Sequence, residues 1–341
     1  MSIAFVTGGT GFLGINLVRE LVARGDQVIA IHRPTSDTRR LASTGATLVT
    51  CGLDDVDGLA RAMPQGVDVV YHVAGDISWW SRHAERQRKT NVEGTRNVVA
   101  AALRQGVKRF IHTSSIVAFG VHDTVIREDT PSNAEETRYG YVRTKYQGER
   151  EVLRGVEQGL AAVIMNPANV IGPFDVTGWS RAILMTERGK LPAVPPGKGS
   201  FCHAVEVVRA LIAAASRGRV GEHYLLGGAD ATFGELGAAI ARRLGRRPPR
   251  VAPAFAIRLL GAANDAVSLL TGKEAGITRE NADYFCRTAL CDSRKAIAEL
   301  GYVARPLEDM VDDAVAWLRS EGYLTPPRRG SGSSASASGP T

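Results

Sequence analysis

The chain has 341 residues, 44% hydrophobic and 23% charged, with a formal net charge of +7. That balance belongs to a globular protein of two domains, or of one domain with a large lobe, and excludes a disordered or collagen-like chain. No nucleic-acid partner is expected, because the densest basic run, RRLGRRPPR from Arg242 to Arg250, holds no aromatic residue and reads as a solvated helix end and loop.

The first element, Ile3 to Val6, reads as a short buried strand, and Phe12 to Ala23 places Leu13, Leu17 and Leu21 on one helical face. Between them stands VTGGTGFLG, with Gly8, Gly11 and Gly14 three residues apart. Glycines at such a turn let the backbone approach a pyrophosphate, and the following helix offers unpaired N–H groups at its positive end. The same spacing also suits a plain strand-to-helix turn. A second strand is expected at Val28–Ile31, continuing into HRPTSDTRR. No acid occurs from Val28 to Thr35, whereas His32, Arg33, Arg39 and Arg40 follow closely. A carboxylate there would favour NAD and an arginine a 2′-phosphate, so NADP(H) is favoured, with NAD(H) as the other option.

Further strands are expected at Thr47–Thr50, Val67–His72, Phe110–Thr113 and Ala162–Met165, with a helix at Asn91–Gln105 between the second and third of them. The alternation implies an α/β fold, a Rossmann-like doubly wound parallel sheet over residues 1–169. From 170 to 325 the pattern becomes irregular and mostly helical, which gives a smaller C-terminal substrate lobe. Its expected helices are Trp179–Arg188, Ala204–Arg217, Phe233–Leu244, Phe255–Leu270, Ser293–Leu300 and Leu307–Glu321. A segment within 200–227, around Glu222–Leu226, is expected to return to the first sheet. The apolar run from Ala254 to Leu270 is interrupted by Arg258, Asn264 and Asp265, so stable membrane insertion is not expected. The first strand begins at once and the four cysteines lack C-x-x-C spacing, so the expected place is the cytoplasm, with free thiols and no metal. Residues 326–341 are low-complexity and expected to be a disordered tail.

Chemistry concentrates in YGYVRTK and FIHTSSIVAFG. Tyr141 and Lys145 are four apart and share one helical face. A tyrosine is a poor base near neutral pH, and a neighbouring ammonium favours the phenolate. Upstream, a buried strand ends in Thr113-Ser114-Ser115, which brings hydroxyls to the carboxyl end of the sheet. There Ser115 could donate to a substrate oxygen.

TGGTGFLG, VYHVAG, TNVEGTRNVV, HTSSIVAFG, YVRTK and NPANVIGP, in this order, resemble the extended short-chain dehydrogenase/reductase superfamily over roughly residues 2 to 325. Within it the chain is most similar to the branch of dihydroflavonol 4-reductases and 3β-hydroxysteroid dehydrogenases, of the NAD-dependent epimerase/dehydratase family. The resemblance implies that Tyr141 is the catalytic acid/base, that Lys145 lowers its pKa and hydrogen-bonds the nicotinamide ribose, and that Ser115 orients the substrate oxygen. It also implies a cofactor site formed by Gly8, Gly11, Phe12, Leu13, Gly14, Arg33, Arg40, Leu53, Ala74, Asn91 and Pro167 with Tyr141 and Lys145. Two positions depart from the pattern: Gly52 stands where an adenine-binding aspartate is usual, and Asn166 where an arginine is usual.

The expected function is an NADP(H)-dependent oxidoreductase that interconverts a ketone and a secondary alcohol on a largely apolar substrate, steroid-, terpenoid-, flavonoid- or β-keto-like. The alternative is a nucleotide-sugar epimerase with tightly bound NAD. A dehydratase is set aside, since Ile116-Val117 follow the hydroxyl residue in place of two acids. Cleft walls are expected from Asp76–Trp80, Pro173–Trp179 and the Ala254–Leu270 helix, all rich in aromatic and aliphatic side chains. A homodimer is left open.

Overall fold

The computed structural model describes residues 2–272 and 275–325, so the tail expected at 326–341 lies outside the described residues. In chain order the first half contains β1 (Ile3–Thr7), α1 (Phe12–Ala23), β2 (Gln27–His32), α2 (Arg39–Ala42), β3 (Thr47–Thr50) and α3 (Val56–Ala62). It continues with β4 (Val69–His72), α4 (Ala84–Arg88), α5 (Gly94–Arg104), β5 (Arg109–Thr113), α6 (Gly140–Glu157) and β6 (Ala162–Pro167). Successive side chains on a strand point to opposite faces. Ala4 and Val6 of β1 therefore join Leu17, Leu21 and Leu211 on one side, while Phe5 joins Leu59, Val98 and Val152 on the other. Apolar residues at every strand position are what a parallel sheet covered on both faces requires.

The second half contributes β7 (Asn169–Ile171), α7 (Ser180–Glu187), β8 (Ala193–Val194), β9 (Lys198–His203), α8 (Ala204–Arg217) and β10 (His223–Leu226). Then follow β11 (Ala229–Thr232), α9 (Phe233–Leu244), β12 (Arg250–Val251), α10 (Ala254–Thr271), α11 (Arg279–Tyr284), β13 (Thr288–Ala289), α12 (Arg294–Leu300) and α13 (Leu307–Ser320). The main sheet has seven strands in the order β10-β6-β5-β4-β1-β2-β3, and every pairing is parallel. This is the doubly wound sheet expected from the alternation. The strand order reverses between β1 and β4, so the crevice for a ligand opens beyond Thr7 and His72.

The lobe is built on a small mixed sheet, β11-β9-β13 with β7 on β9, packed with α9 and α13 around Phe201, Phe233, Met310 and Val311. Its short strands have no legible period in the sequence. The helix expected at Phe255–Leu270 is present as α10, and the polar residues that interrupt its apolar run find partners on neighbouring segments. Arg258 donates to Asp283 at 2.7 Å, Asn264 to the Ile277 carbonyl at 3.0 Å, and Asp265 accepts from Arg279 N at 3.1 Å. Among the described residues α10 is the one helix long and apolar enough to cross a bilayer, with a mean hydropathy of 1.2 and 17% of it buried. Nor does it wall the cleft: most of its apolar side chains face away from the molecule.

Candidate active site

The turn after β1 shows why three glycines are needed. Gly8 adopts φ +73°, and a Cβ there would lie 2.6 Å from the backbone nitrogen of Ala74. A Cβ on Gly14 would overlap the Gly8 carbonyl, so α1 can press onto the turn only without one. Gly11 caps α1 and is exposed, and neither a capping side chain nor an acidic residue occupies the first turn. The leading N–H groups are thus left for an anion, and the turn fits a dinucleotide pyrophosphate. Phe12 and Leu13 form that first turn. Leu53 packs against Gly94 and its carbonyl accepts from Asn97 at 2.8 Å, beside the ends of β2 and β3. Pro167 is buried at the end of β6.

Past β2 the two arginines differ. Arg33 is exposed, and its guanidinium makes no hydrogen bond or ion pair among the described residues. Arg40 is held by Glu321 at 3.2 Å and Tyr323 at 3.1 Å and lies over the Trp317 ring. Arg40 is thus engaged by the C-terminal segment, while Arg33 has no side-chain partner among the described residues. Asp37 pairs with Arg39 at 2.6 Å, and that hydrogen bond holds its pKa down to about 2.

The relay residues come together as expected. Ser115 follows β5 as the cap of a short 3₁₀ turn, and Tyr141 and Lys145 lie on α6, all three buried. Lys145 Nζ donates to the Thr113 carbonyl at 2.9 Å, and burial pulls its pKa down to about 8 against the opposing charge of Glu149. Burial pushes Tyr141 up to about 12, and the Ser115 hydroxyl is the group that favours its phenolate. Burial is the largest influence on Tyr141, and the Lys145 hydrogen bond goes to the backbone of β5.

A polar support lies beneath the relay. Asn91 sits in a π-helical turn, Lys89–Glu93, that interrupts the helix expected from Asn91 onward. Such turns gather at functional sites, since they shift the side-chain register. Asn91 accepts from Asp76 N at 2.7 Å and donates to the Asp76 carbonyl at 2.9 Å and to Thr144 at 3.1 Å. A Cβ on the neighbouring Gly75 would lie 3.9 Å from Lys145 Nζ, so Asn91 and Lys145 face one space. Sequence reading missed the buried chain Thr7–His72–Thr95, closed at 2.7 and 2.9 Å, which ties β1 and β4 to α5. Burial keeps His72 neutral, with a pKa near about 3. It also missed the service of Asn166, which donates to the Ser115 carbonyl at 3.0 Å and to the buried Glu149 at 2.6 Å.

An aromatic cluster packs beside Tyr141. The Trp79 ring meets Tyr141 at 5.2 Å, Tyr284 at 4.9 Å, Phe285 at 5.7 Å and Tyr139 at 6.3 Å. Trp79 was expected in the cleft; Tyr284 and Phe285 were not, since α11 is too short to show a period, nor was Tyr139, which caps α6. Trp80 is buried against His83, and Trp179 stacks on Phe233 inside the lobe core. The expected Pro173–Trp179 wall is therefore largely lobe packing, with Asp175 accepting from the backbone of Thr177, Gly178 and Ser180. Among the described residues no group of His, Cys, Asp and Glu could hold a metal ion.

The profile of the NAD dependent epimerase/dehydratase family matches residues 4–227. A Synechocystis protein carrying the name dihydroflavonol 4-reductase is 31% identical over 94% of this chain and 95% of its own length. Sterol demethylase protein B of Methylococcus capsulatus is 32% identical over 94% of this chain and 99% of its own. Among solved structures, MoeE5 in complex with UDP-glucose and NAD is 25% identical, with a TM-score of 0.74 over 93% of this chain and 99% of that one.

Proposed function

This chain belongs to the NAD dependent epimerase/dehydratase family, and from that premise we propose that it is an NADP(H)-dependent oxidoreductase interconverting a ketone and a secondary alcohol on a largely apolar substrate. The family's enzymes act on CH–OH groups with a nicotinamide dinucleotide, and the coarser activity is shared by this member. The observation that carries the finer reading is the aromatic wall that Trp79, Tyr284 and Phe285 build beside the Tyr141 ring. A ring system or long acyl chain gains from such a surface, whereas a sugar diphosphate does not. The free Arg33, with Asp37 engaged elsewhere, supports the 2′-phosphate.

In the reductive direction Tyr141, kept protonated by burial, donates its proton to the carbonyl oxygen as that oxygen gains charge. Ser115 donates a hydrogen bond to the same oxygen and fixes the carbonyl face. A bound nicotinamide supplies the hydride to carbon, or accepts it in the reverse direction. Lys145 keeps a positive charge one helical turn from Tyr141, and with Asn91 it faces the space where the nicotinamide ribose would lie. Four free cysteines accord with a cytoplasmic setting, which belongs to this reading.

The test is NADPH consumption against a panel of bulky ketones, with NADH in parallel. Stoichiometric NADPH oxidation with an apolar ketone is expected. A protein that purifies with stoichiometric NAD and interconverts UDP-sugars without net NADPH loss is an epimerase, and overturns the reading.

A further inference from the structure

Among the described residues, six of the thirteen large apolar side chains that stand exposed lie on α10: Phe255, Leu259, Leu260, Val267, Leu269 and Leu270. Concentration on one helix separates them from the scattered apolar exposure of ordinary surfaces. Phe255, Leu259, Ala262, Ala266 and Leu270 fall on one line at helical spacing, all exposed, while Ile257, Gly261 and Ser268 form the buried side. The helix is inside out for a helix in water. Asn264 and Asp265 are held on Ile277 and Arg279, and the half-exposed Arg258 pairs with Asp283 at the edge of the apolar face.

From this arrangement we infer that α10 is a membrane-surface anchor that rests its apolar face in the headgroup–acyl boundary of an anionic bilayer. These pairings decide between lying on a bilayer and crossing it. Crossing would carry Arg258, Asn264 and Asp265 into hydrocarbon and strip them of their partners. Lying in the plane keeps every one of them, along about 27 Å of helix.

Charge selects the occupant. Arg258 borders the apolar face, and Arg138 and Arg287 join it on Asp283, at 2.6 and 3.6 Å, so three guanidiniums share one carboxylate. Glu136 lines the same cleft and leaves the group positive. Just upstream of the helix Arg247 and Arg250 are exposed without an ion pair among the described residues, next to the exposed Val251. Arg242, Arg243 and Arg246 of the same run are paired with Glu308, Asp312 and Glu187. A second copy seated on this face would bring positive shoulders together, whereas anionic headgroups neutralise them. The face also lies one helix from the site: Gly261 fits against Thr278 and Ala282 of α11, whose Tyr284 meets Trp79. This inference stands on the surface alone and does not depend on the proposed substrate.

The test uses the full chain in flotation with vesicles of phosphatidylcholine alone or mixed with phosphatidylglycerol. Co-flotation with the anionic vesicles, weakened by salt, is expected. Leu259→Ser with Leu270→Ser should abolish it without lowering the melting temperature, since both side chains are exposed. Arg247→Gln and Arg250→Gln should each weaken partition about fivefold. No flotation with either vesicle, or flotation unchanged in the leucine variant, overturns the inference. So does a wild-type dimer that fails to float and becomes monomeric in the leucine variant, which would give the face to a second copy.

Discussion

In the sheet half, short backbone rules place the chemistry. Ser115 sits where β5 ends, Tyr141 and Lys145 share a face of α6, and Gly8 and Gly14 allow α1 to close on its strand. In the C-terminal lobe nothing so local operates. Tyr284 reaches the site because α11 is tied to the loop after β4, where Thr278 Oγ1 donates to the Trp79 carbonyl at 2.8 Å across 199 residues. In the proposed reading, proton transfer and cofactor binding belong to the half whose geometry is repetitive. Substrate choice then belongs to the half held by individual long-range contacts, where a few substitutions would alter the aromatic cluster and leave the relay intact.

The hardest strike at that division is Tyr141→Phe. Turnover should fall by at least ~10²–10⁴-fold while dinucleotide titrations stay nearly unchanged. Near-normal turnover would remove Tyr141 as proton donor and with it the assignment of chemistry to the sheet half. Arg33→Ala probes the same half on the cofactor side. Loss of a charge-assisted bond should weaken NADPH binding by about 1.5–3 kcal/mol and leave NADH almost untouched. Equal losses for both cofactors would make Arg33 structural.

Lys145 gives the comparison a pH axis. Its folded pKa of about 8 lies below the usual lysine value because burial disfavours the charge. The ammonium is present below that point, and the positive charge beside the relay disappears as pH rises through it. In ketone reduction kcat/KM should therefore fall about tenfold for each unit above the pKa, with Tyr141, at about 12, still protonated. A flat profile from neutrality to alkaline pH would show that Lys145's charge does not matter to the rate. The linkage has the matching sign. The unfolded chain binds more protons than the folded one between the two lysine pKa values, so this group's contribution to stability rises with pH across that window.

The smallest effect should come from the lobe side. Trp79→Leu removes ring contacts with Tyr284 and Phe285 and should raise KM for a bulky apolar ketone by about 1–2 kcal/mol, with kcat little changed. A collapse of kcat in this variant would mean that the wall and the relay are not separable.

How much was legible follows the same line. The strands of the main sheet, the glycine turn and the relay residues were readable from periodicity, spacing and resemblance. Trp79 was readable only as one aromatic residue among several, and Trp179 looked equally suited to a wall until the lobe core enclosed it. The support that Asn166 gives to Ser115 was not legible, since it joins the end of β6 to the residue after β5. Arg40 and Arg33 looked alike as cations after β2, and only the docking of the C-terminal helix separated them.

Alternation of apolar runs and the residues at their ends determined by themselves that this chain builds a parallel sheet with a glycine turn after its first strand and hydroxyl residues at the end of β5, while the resemblance supplied the roles of Tyr141 and Lys145. Those features depend on backbone geometry repeated every few residues, and the chain order carries it. Tertiary structure alone decided which way α10 faces. Its polar residues looked like interruptions of an apolar run, yet Asp283, Ile277 and Arg279 partner them and the leucines stand exposed. The orientation of a helix with apolar residues on most of its circumference is set by where its few polar groups find partners, and those partners lie beyond the helix itself.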